Sequence, residues 1–325
     1  MSSPQSVLFM DKILQMAAQI AAGSANLVKR NDRPAGQVHT LKNKNGLEAK
    51  ITYHGARLIG LLIPDRQGNP VEVIVGSDKP NALHDGKNSS WATLWDAEEI
   101  EHHALRLMYF SKNAEGDFPG NLKVKRTYFL NDDNSLKIIY EAVTDKTTVI
   151  NLDNNPFFNL NGAACGNILN HQLSIKADNY IPIDTNMSPT EAVEPVTGTP
   201  FDFRNSATIG SRISDHHEQL KIGHGYDHHF VLNPHVSRTP VARVRGDKSG
   251  IIMEVFTDQP RLHFYSGNFI SGKAQKKDDD TDYYHSSFAM KIMHYSDLPT
   301  QPGFPLTMLR PGQVYRSVCC FQFKN

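Results

Sequence analysis

The chain has 325 residues, 39% of them hydrophobic, which is enough for one large domain or two ordinary ones and too apolar for a disordered chain. Its 34 basic residues balance 34 acidic ones, so no strong field favours nucleic acid or an anionic membrane. No apolar run approaches the roughly 20 residues that a membrane helix needs, and no membrane span is expected.

The first residues carry Phe9, Ile13, Met16 and Ile20 at helical spacing. Asp11 and Lys12 interrupt what would otherwise be the apolar core of a signal peptide. The segment therefore reads as an amphipathic helix, and residues 30–36 as a linker. Residues 1–37 are expected as a helical extension and linker, with one β domain over 38–325. Such a helix either docks a protein partner through residues 1–36 or covers the protein's own surface. A soluble, cytoplasmic chain is favoured over one with an atypical secretion signal.

From Val38 onward the pattern is one of short strands. Leu47-Glu-Ala-Lys-Ile-Thr-Tyr53 alternates in part, and Leu58-Ile-Gly-Leu-Leu-Ile63 is an apolar run. Pro64-Asp-Arg-Gln-Gly-Asn69 is a turn, and Val71-Glu-Val-Ile-Val75 a further strand. Leu136–Ala142, Ile251–Phe256 and Leu262–Tyr265 repeat the theme, each bounded by turn residues. The run Lys276-Lys-Asp-Asp-Asp280 reads as a solvated loop. The fold class is all-β, a large antiparallel β-sandwich with a short helical N-terminal extension.

Of the three cysteines, Cys319 and Cys320 are neighbours on one strand and point to opposite faces, so they do not bridge each other. They and Cys165 are expected as free thiols, which fits a reducing compartment. No Cys/His spacing suggests a zinc site, and no glycine-rich loop leads from a strand into a helix. No cofactor and no metal are expected.

The function is carried by motifs. Ile51-Thr-Tyr-His-Gly-Ala-Arg-Leu58, Asp117-Phe-Pro-Gly-Asn-Leu122, Asn154-Asn-Pro-Phe-Phe-Asn-Leu160, Gly198-Thr-Pro-Phe-Asp-Phe203 and Gly225-Tyr-Asp-His228 occur in that order. Tyr265-Ser-Gly-Asn-Phe269 and Phe304-Pro-Leu-Thr-Met-Leu-Arg-Pro-Gly312 follow. Together they resemble the aldose 1-epimerase (galactose mutarotase) family over nearly everything after residue 38. The resemblance implies a β-sandwich with a cleft for a small-molecule sugar across one concave sheet.

Mutarotation requires a base for the anomeric hydroxyl and an acid for the ring oxygen. The family uses a glutamate and a histidine, with a second histidine, an aspartate and an arginine binding the sugar. Matched residue by residue, the acid histidine falls on Asn155 and the base glutamate on Lys291. An amide has no proton to release near neutral pH, and an ammonium is no base unless burial lowers its pKa by several units. The segment that bears the arginine has no counterpart between Gly76 and Asn81. His84, in Leu83-His-Asp-Gly86, and Asp227 match sugar-binding residues, and His263 stands in a segment where the family has glutamine. The resemblance thus implies a carbohydrate-binding protein with lost or strongly reduced mutarotase activity. The alternatives are an active epimerase, with Lys291 as base and His84 or His263 as acid, and an interaction module docking through its N-terminal helix. His102, His103, His228 and His229 read as surface or loop residues.

Overall fold

Alternation of side chains along extended strands decides the architecture. In Ser135–Thr144, Leu136, Ile138, Tyr140 and Ala142 are buried while Lys137, Ile139 and Glu141 are only half-buried. In Tyr315–Lys324 the buried set is Tyr315, Ser317, Cys319, Phe321 and Phe323. A period of two places one face of each strand against a core and leaves the other toward solvent. The computed structural model describes residues 26–28, 37–76, 93–101, 103–115, 119–150, 152, 156–190, 192–269, 284–294 and 308–325.

Ten strands form the largest sheet, all neighbours antiparallel. In spatial order they are Asn26–Val28, Asp96–Glu101, Ala104–Ser111, Leu122–Leu130, Ser135–Thr144, Tyr315–Lys324, Ile252–Thr257, Ala242–Arg245, Gln172–Ile175 and Ala207–Thr208. A six-stranded sheet runs Phe157–Phe158, Phe288–Met293, Arg261–Tyr265, Asp227–Leu232, Ala177–Ile181 and Glu194–Pro195. Smaller four- and two-stranded sheets complete the sheets among the described residues. The two large sheets meet through aromatic rings: Phe158 of the smaller lies 5.7 Å from Phe288 beside it and 5.3 Å from Phe321 of the larger. Each such fully buried ring stabilises the fold by about 1.5–3 kcal/mol.

The expected β-sandwich is thus observed. The strand read at residues 47–53 spans Glu48–Thr52, that at 136–142 spans Ser135–Thr144, and that at 262–265 spans Arg261–Tyr265. In the turn after Leu58–Pro64 the Asp65 carboxylate accepts the N–H groups of Gln67 and Asn69 at 2.9 and 2.8 Å. Cys165, Cys319 and Cys320 are free thiols, with Cys319 on the buried face of its strand.

The expected helix over Phe9, Ile13, Met16 and Ile20 and the charged loop 276–280 lie outside the described residues. Within the stretch read as extension and linker, Asn26–Val28 is a strand, paired with Ala97–Glu99 at the edge of the large sheet. Among the described residues no helix is long and apolar enough to cross a membrane.

Candidate functional site

The segment Gly225-Tyr-Asp-His228 delivers a carboxylate to the start of the strand Asp227–Leu232. Its backbone is fixed from two sides. Asn268 Nδ2 donates to the carbonyls of Gly223 and Tyr226 at 2.7 and 3.0 Å, and Ser266 Oγ donates to Asn268 Oδ1 at 2.6 Å while accepting the Tyr226 N–H at 3.0 Å. Gly225 sits at φ +134°, and a Cβ there would meet Asn268 Oδ1 at 2.5 Å, so only glycine fits. On the other side the Asp227 N–H donates to His228 Nδ1 at 3.0 Å. The Nε2–H of that ring then donates to Gln219 Oε1 at 3.1 Å, on the short helix Glu218–Gly223. Burial drives the His228 pKa down to about 3, so the ring is neutral and serves the scaffold.

The three central strands of the six-stranded sheet turn their odd-numbered residues away from the sandwich core. Phe230, Leu262, Phe264, Phe288 and Met290 fill the core from the other face. Strand register places His229 opposite His263, and His263 opposite Lys291, in one row. Asp227 lies opposite Tyr265 in the next row, and Arg261 lies opposite Met293 and Val231 on the far side. Across the diagonal, His263 Nε2 donates to Asp227 Oδ1 at 2.7 Å. The side chains of this pair keep 12% and 23% of their surface exposed, enough to meet a ligand.

His229 stacks on His263 with ring centroids 4.5 Å apart and planes 26° from parallel. Burial first, then the positive charges of Arg261 and Lys291 nearby, push the His229 pKa well below the usual imidazole range. Its Nδ1 is buried and has no hydrogen-bond partner among the described residues. The Tyr265 oxygen accepts the Phe269 N–H at 2.8 Å. Burial, with the Asp227 charge adding to it, raises that phenol to about 12, so it remains a hydrogen-bond donor at neutral pH.

Of the residues that sequence reading singled out, Asp227, His263 and Lys291 come together on this one face. Asn155 and His84 lie outside the described residues, as does His102. His103 stands in a turn, as expected of a loop histidine. His228 and His229 correct the expectation of surface or loop residues: both are strand residues, 0% and 6% exposed. Successive positions on a strand of a central sheet face opposite sides, so His228 enters the core and His229 the row with His263 and Lys291. Tyr265 and His229 were not singled out as site residues. Their signal was present as the period of two counted from Asp227 and His263, since every second residue shares the face.

Many of the remaining motif residues serve the scaffold. Asn159 Nδ2 donates to the carbonyls of Gly166 and Ser286 at 2.9 and 3.0 Å. Thr199 Oγ1 donates to the Val196 carbonyl at 2.7 Å and accepts the Phe201 N–H at 3.1 Å. Arg126 Nη1 and Tyr128 Oη each donate to the Ala56 carbonyl at 2.8 Å, holding the His54-Gly-Ala-Arg57 turn against the large sheet. Among the described residues no group of three His, Cys, Asp or Glu side chains could hold a metal ion.

The family model for aldose 1-epimerase matches residues 78–322. The galactose mutarotase of Mus musculus is 37% identical over 245 residues, which is 75% of this chain and 70% of that protein. The aldose 1-epimerase of Escherichia coli K12 is 29% identical over 89% of this chain and 96% of its own length. Among solved structures, a GalM/aldose epimerase homologue from C. elegans superposes with a TM-score of 0.77, covering 89% of this chain and 99% of its own at 24% identity. The galactose 1-epimerase of Lactobacillus acidophilus gives a TM-score of 0.74, also at 24% identity, over 93% of this chain and 98% of its own. These two structures agree on the fold, and the extent of the family match settles the lineage: the chain belongs to the aldose 1-epimerase family.

Proposed function

We propose that this chain binds a sugar on the face that bears Asp227, His263 and Lys291, and that its mutarotase activity is lost or strongly reduced. The observation that carries this reading is the row His229–His263–Lys291. At the position matched to the family's base stands an ammonium, which has no lone pair to receive the anomeric proton. On the odd-numbered face of the three central strands Asp227 is the only carboxylate, and its Oδ1 already accepts from His263. Asn155, at the position matched to the acid, bears an amide. Loss of one acid or base commonly lowers a rate by about 10²–10⁴, and loss of its partner adds little more. What remains is hydrogen bonding. Asp227 offers a second oxygen to ligand hydroxyls, and Tyr265 a phenolic proton.

The test is the rate of anomer exchange of galactose and of glucose, followed by polarimetry and by NMR exchange spectroscopy, beside a binding titration with the same sugars. Saturable binding with exchange at the buffer rate is expected. Exchange well above the buffer rate, abolished by His84→Ala or Asp227→Asn, overturns the reading.

One observation favours a second reading, a working epimerase with relocated groups. The contact of His263 with Asp227 at 2.7 Å is an imidazole–carboxylate pair of the kind that moves protons. In that case the exchange rate follows a pH profile that His263→Gln removes.

A further inference from the structure

The strand Ala177–Ile181 pairs with Asp227–Leu232 only as far as His229, opposite Ile181. Past that point the ladder ends, and side chains take over its hydrogen bonds. The Asp227 N–H donates to His228 Nδ1 at 3.0 Å, and the Nε2–H of the same ring donates to Gln219 Oε1 at 3.1 Å. Gln219 in turn grips the backbone of Ile183. Its Oε1 accepts the Ile183 N–H at 2.6 Å, and its Nε2 donates to the Ile183 carbonyl at 3.0 Å. Both ring nitrogens of His228 are thus engaged, and the tautomer is set with Nε2 protonated and Nδ1 bare. The peptide that joins Tyr226 to Asp227 is held at both ends, since its carbonyl accepts from Asn268 Nδ2 at 3.0 Å.

The His228 ring is fully buried, with its centroid 4.5 Å from that of Phe201 and 6.0 Å from that of Tyr180. A Cβ at Gly223 would stand 3.3 Å from His228 Cε1 and 3.7 Å from Asp227 Cβ, so glycine lets the end of the short helix close over both residues. An apolar side chain would fill this slot without the cost of desolvating an imidazole. It would leave the Asp227 N–H without its acceptor. We infer that His228 and Gln219 are positioning residues for the ligand: the chain of contacts from Ile183 through Gln219 and His228 holds the Asp227 backbone from inside the fold and so fixes where the carboxylate meets a sugar hydroxyl. His228 faces the core, on the side of the strand opposite His229, and therefore acts through Asp227 and not on the ligand. The inference rests on the sugar-binding reading above and adds to it the residues that set its affinity.

The experiment is calorimetric titration of the full chain with galactose and glucose, beside urea denaturation of each variant. The Oδ1 of an asparagine lies as many bonds from Cβ as His228 Nδ1 does, so His228→Asn keeps the acceptor for the Asp227 N–H. His228→Gln reaches Gln219 and loses that acceptor, and His228→Leu loses both contacts. His228→Gln and His228→Leu should weaken sugar binding about tenfold, and His228→Asn only about threefold. Gln219→Leu, at a half-buried position outside the core, keeps the test open where a His228 variant fails to fold, and should also weaken binding about threefold. Nitrogen NMR of the unmodified chain should show His228 protonated at Nε2 alone. Unchanged affinity in every folded variant, affinities that follow the order of stability with His228→Asn as weak as His228→Leu, or a proton on Nδ1 overturns the inference and leaves the sugar-binding reading standing. Absence of binding by the unmodified chain, or binding that Asp227→Asn leaves unchanged, overturns the reading of this face itself, and this inference with it.

Discussion

Replacing Gly225 by alanine isolates the contact that holds Asp227 in place. The new methyl group would stand 2.5 Å from Asn268 Oδ1, 2.9 Å from its Cγ and 3.0 Å from Ser266 Oγ, all closer than side-chain carbons tolerate. Asn268 is 4% exposed and bound on both ends of its amide, so it has nowhere to retreat without breaking bonds. The backbone term for alanine at φ +134° is about 1–3 kcal/mol. Two disrupted hydrogen bonds add about 1 kcal/mol each. A loss of about 3–5 kcal/mol follows, against a typical domain stability of about 5–15 kcal/mol. Gly198→Ala is the control. It too has a positive φ, +75°, but nothing lies within 4 Å of its added Cβ, so it should lose only about 1–2 kcal/mol. Urea denaturation with unchanged slope measures both. Ligand affinity should fall with Gly225→Ala and hold with Gly198→Ala. Equal losses for the two variants would refute the claim that the Asn268 contact, and not the backbone angle alone, excludes a side chain at 225.

Acid should weaken the fold in a defined window. Burial lowers the pKa of His171 to about 4 and that of His228 to about 3, below the ordinary value of 6.5. The unfolded chain therefore binds more protons than the native one below about pH 6.5, and stability present above that pH is lost as pH falls toward 4 and then 3. The slope for each histidine is about 1.4 kcal/mol per pH unit, and the pH dependence of urea midpoints for His171→Gln should be shallower than for the parent chain. Native protein should react with one equivalent of a bulky thiol reagent, at exposed Cys165. Burial raises the Cys319 thiol well above its usual value and that of Cys320 to about 11, so those two should react only on unfolding. Lys291→Glu combined with Asn155→His should raise anomer exchange above the buffer rate by about 10²-fold or more, whereas either change alone should not. A gain of that size from Lys291→Glu alone would show that an acid is already in place.

Much of this fold was legible because its signals are local. The alternation in Leu136–Ala142 survives as a strand whose buried residues are the ones the pattern names, and Pro64–Asn69 is the turn its residues predict. The site was legible only in part, because its members lie on strands that are distant in sequence and adjacent in register. Lys291 and His263 were identified one by one through a family motif, yet nothing in either segment says that they face each other. His228 and His229 illustrate the limit in one dipeptide. A polar pair after Gly-Tyr-Asp reads as turn chemistry, but the strand continues to Leu232 and takes one imidazole into the core and the other to the opposite face of the sheet. The edge strand Asn26–Val28 was missed for a related reason: a three-residue strand carries too little pattern to set it apart from the N-terminal extension, and only its partner Asp96–Glu101 defines it.

The row of His229, His263 and Lys291 also constrains how this protein could be altered. A glutamate introduced at 291 would arrive beside the His263 imidazole, which already contacts Asp227 Oδ1 at 2.7 Å, and the two carboxylates would compete for one ring. Exchange at any one of these positions thus changes the contacts of its neighbours. They form a single unit in the sheet, to be redesigned as a set and not residue by residue.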